Sequence, residues 1–380
     1  MKIGIPRETL KGETRVAIVP SMVPELKKSG FDVVGERGAG RAASFDDAEY
    51  ENAGAQLVGG LDELVQQADL LAKVQPPTPE ELARIPEGKT VIGFLAPTTD
   101  AARVEALLAR KLTAFSMELI PRITRAQSMD ALSSMATVAG YKAVLLSTRY
   151  LGKFYPLLMT AAGTVPPANV LVLGAGVAGL QAIATARRLG ARVEAFDVRP
   201  AVKEQIESLG ARFVEMELEA GAETKGGYAK EMTEDFIRRE HEAIGSRLPK
   251  TDVVISTAQV FGKKAPLLVT ADMVRLMRRG SVLIDLAAEQ GGNCALTRAG
   301  EVVDENGVTI YGPINLPATM PVHASQMYSR NLVNLVKHLY QAQDRALDFT
   351  DEITKSACVC HNGEIVSEVV KSIFADVGTA

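Results

Sequence analysis

Short apolar runs recur along the chain at intervals that helical patterns fill. Residues 2–5, 31–34, 70–74, 91–95 and 113–117 each read as a buried strand, and the stretches between them carry helical spacing. In the first of these, Ser21 is placed to cap a helix, Pro24 is tolerated in its first turn and Gly30 marks its end. A second series follows at VLVL (170–173), VEAF (193–196), 253–256, 282–286 and 309–311. Strands alternating with crossover helices pair in parallel. The expected fold class is therefore α/β, with two Rossmann-like, doubly wound parallel-sheet domains separated by a cleft in which a ligand would lie. Residues 327–340 are helical and come too late for the second sheet, so they should return to the first domain. The predicted division is 1–132 with 325–380, and 133–324.

One strand-to-helix junction carries chemistry. VLVLGAGVAG places glycines at 174, 176 and 179, and LQAIATARRL then runs with helical spacing. Gly174 permits a tight turn, Gly176 lets backbone approach a pyrophosphate, and Gly179 lets helix and strand pack closely. The helix start, Val177 and Ala178 included, offers free N–H donors. RVEAFD supplies the next strand and sets Asp197 21 residues after Gly176, where a carboxylate can accept an adenosine ribose diol. The same carboxylate would repel a 2′-phosphate, which favours NAD(H) over NADP(H), with nearby Arg199 pointing the other way. Thr257, Ala258 and Gln259, after the strand DVVIS, would line the nucleotide by the strand-end rule.

A second polar cluster lies at 117–134, MELIPRITRAQSMDALSS, where forked donors and acceptors mix after a strand end. Such side chains suit an amide and ribose hydroxyls, and equally a solvated loop leading into a helix from Ser128. The segment 219–230, EAGAETKGGYAK, has few large apolar groups and is expected to be mobile, with Tyr228 able to close over a nucleotide or simply to sit in a surface loop.

Composition narrows the function class. At 380 residues with 47% hydrophobic and 23% charged side chains, the chain can bury two cores. A net charge of −4 gives no electrostatic reason to expect nucleic acid or an anionic membrane as partner. Cys294, Cys358 and Cys360 are too few for a disulfide framework and spaced wrongly for zinc, so a reducing, cytoplasmic setting is expected. His241, His323, His338 and His361 are dispersed without metal-ligand spacing, and no metal site is expected. The uncharged stretch 154–186 is broken by Gly163, Pro166, Pro167 and the glycine turn, which argues against a membrane span.

MKIGIPRET, ETRVAIVP, PRITRAQSMDALSS, MTAAGTVPPA, VLGAGVAGLQAIATA, DVRP, KEQIESLGA, GGYAKEM and DLAAEQGGNC together resemble the NAD(H)-binding soluble component of proton-translocating nicotinamide nucleotide transhydrogenase, over nearly the whole chain. The chain resembles alanine dehydrogenase more loosely, through Arg15, the Lys73-Val74 strand end and the dinucleotide motif. Where that dehydrogenase is expected to carry a catalytic histidine, this chain aligns Ala96. Oxidising an amino acid requires a general base, whereas hydride exchange between two nicotinamides needs only stacking, orientation and exclusion of water.

The resemblance implies direct hydride transfer between NAD(H) on this chain and NADP(H) on a partner subunit, coupled to proton translocation. It further implies that Arg122, Gln127, Asp130 and Ser133 hold the nicotinamide carboxamide and ribose. Val198 and Arg199 would flank Asp197, and Gly227 with Tyr228 would belong to a loop folding over the adenosine side. Expected partners are the NADP(H)-binding and membrane-spanning subunits and a second copy of the chain, giving a homodimer that sits at the cytoplasmic face of the inner membrane through those partners without inserting. The alternatives are an alanine-dehydrogenase-like enzyme, in which Lys73 and Arg15 would bind a carboxylate substrate instead of pairing with acidic side chains, and a nonenzymatic NAD(H) sensor.

Overall fold

The computed structural model describes residues 1–216, 234–260, 262–341 and 344–377. The chain divides into two units, Met1–Met135 with Pro317–Ala380, and Ala136–Leu316. The first crossing falls inside the helix Ala131–Tyr150, and the chain returns between Leu316 and Pro317.

The second unit is built on a seven-stranded sheet. Its order is Arg212–Phe213, Arg192–Phe196, Asn169–Leu173, Val253–Ser256, Val282–Asp285, Val308–Tyr311 and Val302–Glu305, parallel except for the last pair. The apolar runs are continuous because both faces are covered. Val170 and Val172 enter one core with Ile183, Ala186 and Ile206, while Leu171 and Leu173 enter the other with Ile244, Leu248 and Met273. Each of the Val, Leu, Ile and Met side chains withdrawn from water contributes roughly 1.5–3 kcal/mol before entropy is set against it. The chain order reverses at Asn169–Leu173, with Arg192–Phe196 on one side and Val253–Ser256 on the other, and the carboxyl ends of strands at such a reversal are where doubly wound sheets bind ligands.

The first unit has an eight-stranded sheet, ordered Glu364–Ile365, Cys358–His361, Thr113–Ser116, Thr90–Gly93, Leu70–Ala72, Lys2–Ile5, Asp32–Glu36 and Gln56–Val58. Only the two C-terminal strands run antiparallel to their neighbours. Three of these strands, Gln56–Val58, Cys358–His361 and Glu364–Ile365, are not among the runs read as strands from the sequence, each having no more than three consecutive apolar residues. The helix expected after Ser21 starts instead at Val23, behind a 3-10 turn at Pro20–Met22, and Ser21 makes no capping bond. The late helix begins at Pro321, earlier than the apolar pattern implies, because proline suits a first turn.

Candidate nucleotide site

In the second unit the glycine turn has the required geometry. Gly174 sits at φ +91°, and its N–H donates to Phe196 O at 2.8 Å, tying the turn to the neighbouring strand. A Cβ on Gly179 would lie 1.9 Å from Gly174 O, so only glycine lets the helix Val177–Arg188 start there. A Cβ on Gly176 would meet nothing within 4 Å. Backbone at this helix start is therefore open to an anionic group, which the unpaired N–H donors and the helix dipole favour. Val177 is exposed and Ala178 half-buried at that start. Gly140 makes room from the other side, since its Cβ would fall 2.1 Å from Ala178 O.

Asp197 stands behind the turn, its side chain buried. Its Oδ2 accepts the Ala175 N–H at 2.6 Å, and its two oxygens receive the Arg199 backbone N–H, Nε and Nη2, each at 2.9 Å. Val198 is half-buried beside it. On the helix Glu234–Gly245, the buried Glu240 carboxyl is pushed up to about 7, first by burial and then by the negative charge of Asp197.

Thr257 sits against the glycine turn, donating to Leu173 O at 3.3 Å and Gly174 O at 3.0 Å. Ala258 is gripped by the fully buried Asn293, whose Oδ1 accepts the Ala258 N–H at 3.0 Å while Nδ2 donates to Ala258 O and Pro266 O, both at 2.8 Å. Asn293 in turn hangs from Asp285, which accepts the N–H groups of Ala287, Asn293 and Cys294 and the hydroxyls of Ser256 and Thr297. Gln259 is exposed and donates to Leu286 O at 2.9 Å. Asp285 and Asn293 act as supports here; the motif DLAAEQGGNC contains them, but nothing local reveals their task.

In the first unit, the 3-10 segment Thr124–Met129 presents Gln127 exposed, with exposed Arg122 just before it. The helix does not start at Ser128. It starts at Ala131, with Asp130 at its head receiving the Ser133 N–H at 2.9 Å and hydroxyl at 2.6 Å. Asn331 and Asn334 both donate to Ser128 O, at 2.9 and 3.1 Å. Arg125 pairs at 3.0 Å with Asp351, which also receives His338 Nε2 at 2.8 Å. Burial works to raise the Asp351 carboxyl, but His338, the Thr354 N–H and Arg125 together hold it well below the usual carboxylate range. The loop is thus anchored at Ser128 and Arg125.

Arg15 and Lys73 are not presented as open cations. Arg15 forks onto Glu13 at 2.6 and 2.8 Å, and Lys73 contacts Glu8 at 3.3 Å and Glu81 at 3.2 Å, with the side chains of all three acids buried. At the next strand end Ala96 adopts φ +48°, with its N–H held by Glu118 at 2.9 Å. All three cysteines are buried and free, and no cluster suited to a metal ion occurs among the described residues. Gly227 and Tyr228, with the expected mobile segment, lie outside the described residues.

The geometry agrees with what the chain is similar to. The N-terminal domain of the alanine dehydrogenase/PNT family matches residues 4–139, and its C-terminal domain matches 143–368. The chain is 48% identical over 375 residues to the first part of the NAD(P) transhydrogenase alpha subunit of Rhodospirillum rubrum, covering 96% of this chain and 98% of that protein. Alanine dehydrogenase of Mycolicibacterium smegmatis is 31% identical over 97% of this chain and 96% of its own length. The crystal structure of transhydrogenase from Sinorhizobium meliloti superposes with a TM-score of 0.87 at 42% identity, covering 96% of this chain and all of that one. The chain belongs to the alanine dehydrogenase/PNT family.

Proposed function

We infer that this protein is the NAD(H)-binding subunit of a proton-translocating NAD(P) transhydrogenase. The observation that carries the reading is Asp197, a buried carboxylate tied to the Ala175 N–H directly behind an open glycine turn. The residues fit the group: Gly176 and the start of Val177–Arg188 would receive the pyrophosphate, Asp197 the adenosine ribose, and Thr257 to Gln259 the adjoining wall. When bound, NADH supplies a hydride from its dihydronicotinamide C4 for transfer to NADP⁺ held on a partner subunit. Asp130, Ser133, Gln127 and Arg122 would orient the nicotinamide carboxamide and ribose, and the anchored Ser128 carbonyl keeps their loop in place.

Two features weigh against amino-acid oxidation. Ala96 offers no base, and both Arg15 and Lys73 already face buried carboxylates. No helix among the described residues is long and apolar enough to cross a membrane. Membrane attachment would come through the partners, at the cytoplasmic face. A second copy of this chain is the proposed cover for the hairpin Leu158–Thr160 and Gly163–Val165, where Met159 is 82% exposed.

The decisive assay mixes NADH with a thio-analogue of NADP⁺, with and without a separately prepared NADP(H)-binding transhydrogenase domain, and runs pyruvate plus ammonia in parallel. Rapid transfer only when the domain is added is the expected result. Turnover of pyruvate without it would establish the dehydrogenase instead, and nucleotide binding with neither reaction would leave a sensor.

A further inference from the structure

The 3-10 segment Thr124–Met129 is six residues long, and runs of that length are poorly supported by their own hydrogen bonds. Its N-cap residue, Ile123, offers no side-chain bond. Tertiary contacts hold it instead. Arg125 Nη2 donates to Asp351 Oδ2 at 3.0 Å, and Ser128 O accepts from Asn331 and Asn334 at 2.9 and 3.1 Å. These two anchors bracket Gln127, which is exposed, while Ala126 and Met129 are buried.

Asp351 is a fixed post. Its Oδ1 receives His338 Nε2 at 2.8 Å and the N–H groups of Ile353 and Thr354 at 2.9 and 3.1 Å, so it caps the helix Glu352–Ala357. That helix runs directly into Cys358–His361, which pairs with Thr113–Ser116, the strand that precedes the loop. The Arg125 contact therefore closes a ring of strand, loop, ion pair, helix and strand. His338 follows Asn331 and Asn334 on the helix Pro321–Leu339 by seven and four residues, so one face of that helix backs both anchors. The side chains of His338 and Asp351 are 15% and 16% exposed, against 60% for Arg125. The acid is the partner that stays, and the guanidinium is the group that is held.

We propose that Asp351 is a positioning residue for hydride transfer: through Arg125 it fixes the segment that presents Gln127, with His338 holding the carboxylate in place. The inference rests on the reading that this loop orients the nicotinamide. Transfer between two stacked rings depends steeply on their alignment, and a displacement of about 1 Å far from the chemistry can cost up to about a hundredfold in rate. The pyrophosphate and adenosine ribose are assigned to the glycine turn and Asp197, so loosening this clamp acts on the transfer step and leaves NADH affinity nearly as it was.

Asp351→Asn separates the clamp from the fold. Asparagine caps a helix about as well as aspartate, and its carbonyl oxygen can keep the bonds made at Oδ1. Its amide nitrogen then stands in place of Oδ2, so that two donors face each other at Arg125. Arg125→Gln removes the guanidinium from the exposed side of the pair, and this arm decides the matter even if Asp351→Asn does not fold. Both variants and their double are titrated with NADH by nucleotide fluorescence, with melting temperatures alongside. Hydride transfer to the thio-analogue of NADP⁺ is then measured at saturating NADH with the NADP(H)-binding domain added. Transfer should fall roughly tenfold in each single variant and no further in the double, while NADH affinity stays within about twofold of the parent. A parent-like transfer rate in either folded single variant overturns the proposal, as do losses that multiply in the double variant, since the two residues would then act separately. If the parent itself transfers no hydride with the domain added, the reading on which the proposal rests is overturned instead.

Discussion

Asn293 holds both peptide groups of Ala258, accepting its N–H at 3.0 Å and donating to its carbonyl at 2.8 Å. One fully buried side chain thus sets the backbone that follows the strand Val253–Ser256. Replacing it with alanine leaves these groups and Pro266 O without their partner, at a cost of about 2–4 kcal/mol in urea unfolding. NADH affinity should fall roughly tenfold, while hydride transfer at saturating NADH stays near the parent rate. A slow rate at saturation with intact affinity would show that Asn293 does not act through this turn.

Gly176 and Gly179 separate folding from binding. Gly179→Ala forces a Cβ to within 1.9 Å of Gly174 O and should cost about 2 kcal/mol or more, seen as a lower melting temperature. Gly176→Ala meets no protein atom, so its stability should stay within about 0.5 kcal/mol of the parent. Its NADH binding should nevertheless weaken, because the new methyl group occupies the approach to the helix start. Equal binding by parent and Gly176→Ala would remove the pyrophosphate from this place.

Glu240 makes stability depend on pH. Its folded-state carboxyl titrates at about 7, against an ordinary value of 4.5, so between these limits the folded protein binds more protons than the unfolded chain. Stability from this group therefore falls as pH rises from about 4.5, and the full penalty, about 3 kcal/mol, is present above about 7. Glu240→Gln should be more stable than the parent at pH 8 and nearly equal to it at pH 4.5. A difference between the two that does not change over this range would place the titration elsewhere.

The hairpin makes the proposed dimer testable. Phe154, Leu157, Met159 and Val165 are exposed on a segment without a single charge. A two-stranded ribbon with such a surface needs a cover. Met159→Asp combined with Leu157→Asp should shift the protein from dimer to monomer in light scattering after size exclusion. A dimer of unchanged stability would move the interface to another surface.

The apolar runs and the spacing of Gly174, Gly176, Gly179 and Asp197 by themselves determined that this chain forms parallel sheets with a nucleotide-type turn. Both signals are local: side-chain periodicity reports burial within one element, and a tight turn needs particular residues at particular positions. Tertiary structure alone decided the rest. The fork of Arg199 on Asp197 spans only two residues, yet it depends on how the bend after the strand aims the side chain. The grip of Asn293 on Ala258 spans 35 residues, and the tie from Asn331 to Ser128 spans 203. The short strand Cys358–His361 joins Thr113–Ser116 from far along the chain, with no turn to announce it. Polar side chains of this kind have no periodicity of their own. Their partners are chosen by which unsatisfied backbone groups the packed sheets bring within about 3 Å, and that is a property of the assembled fold.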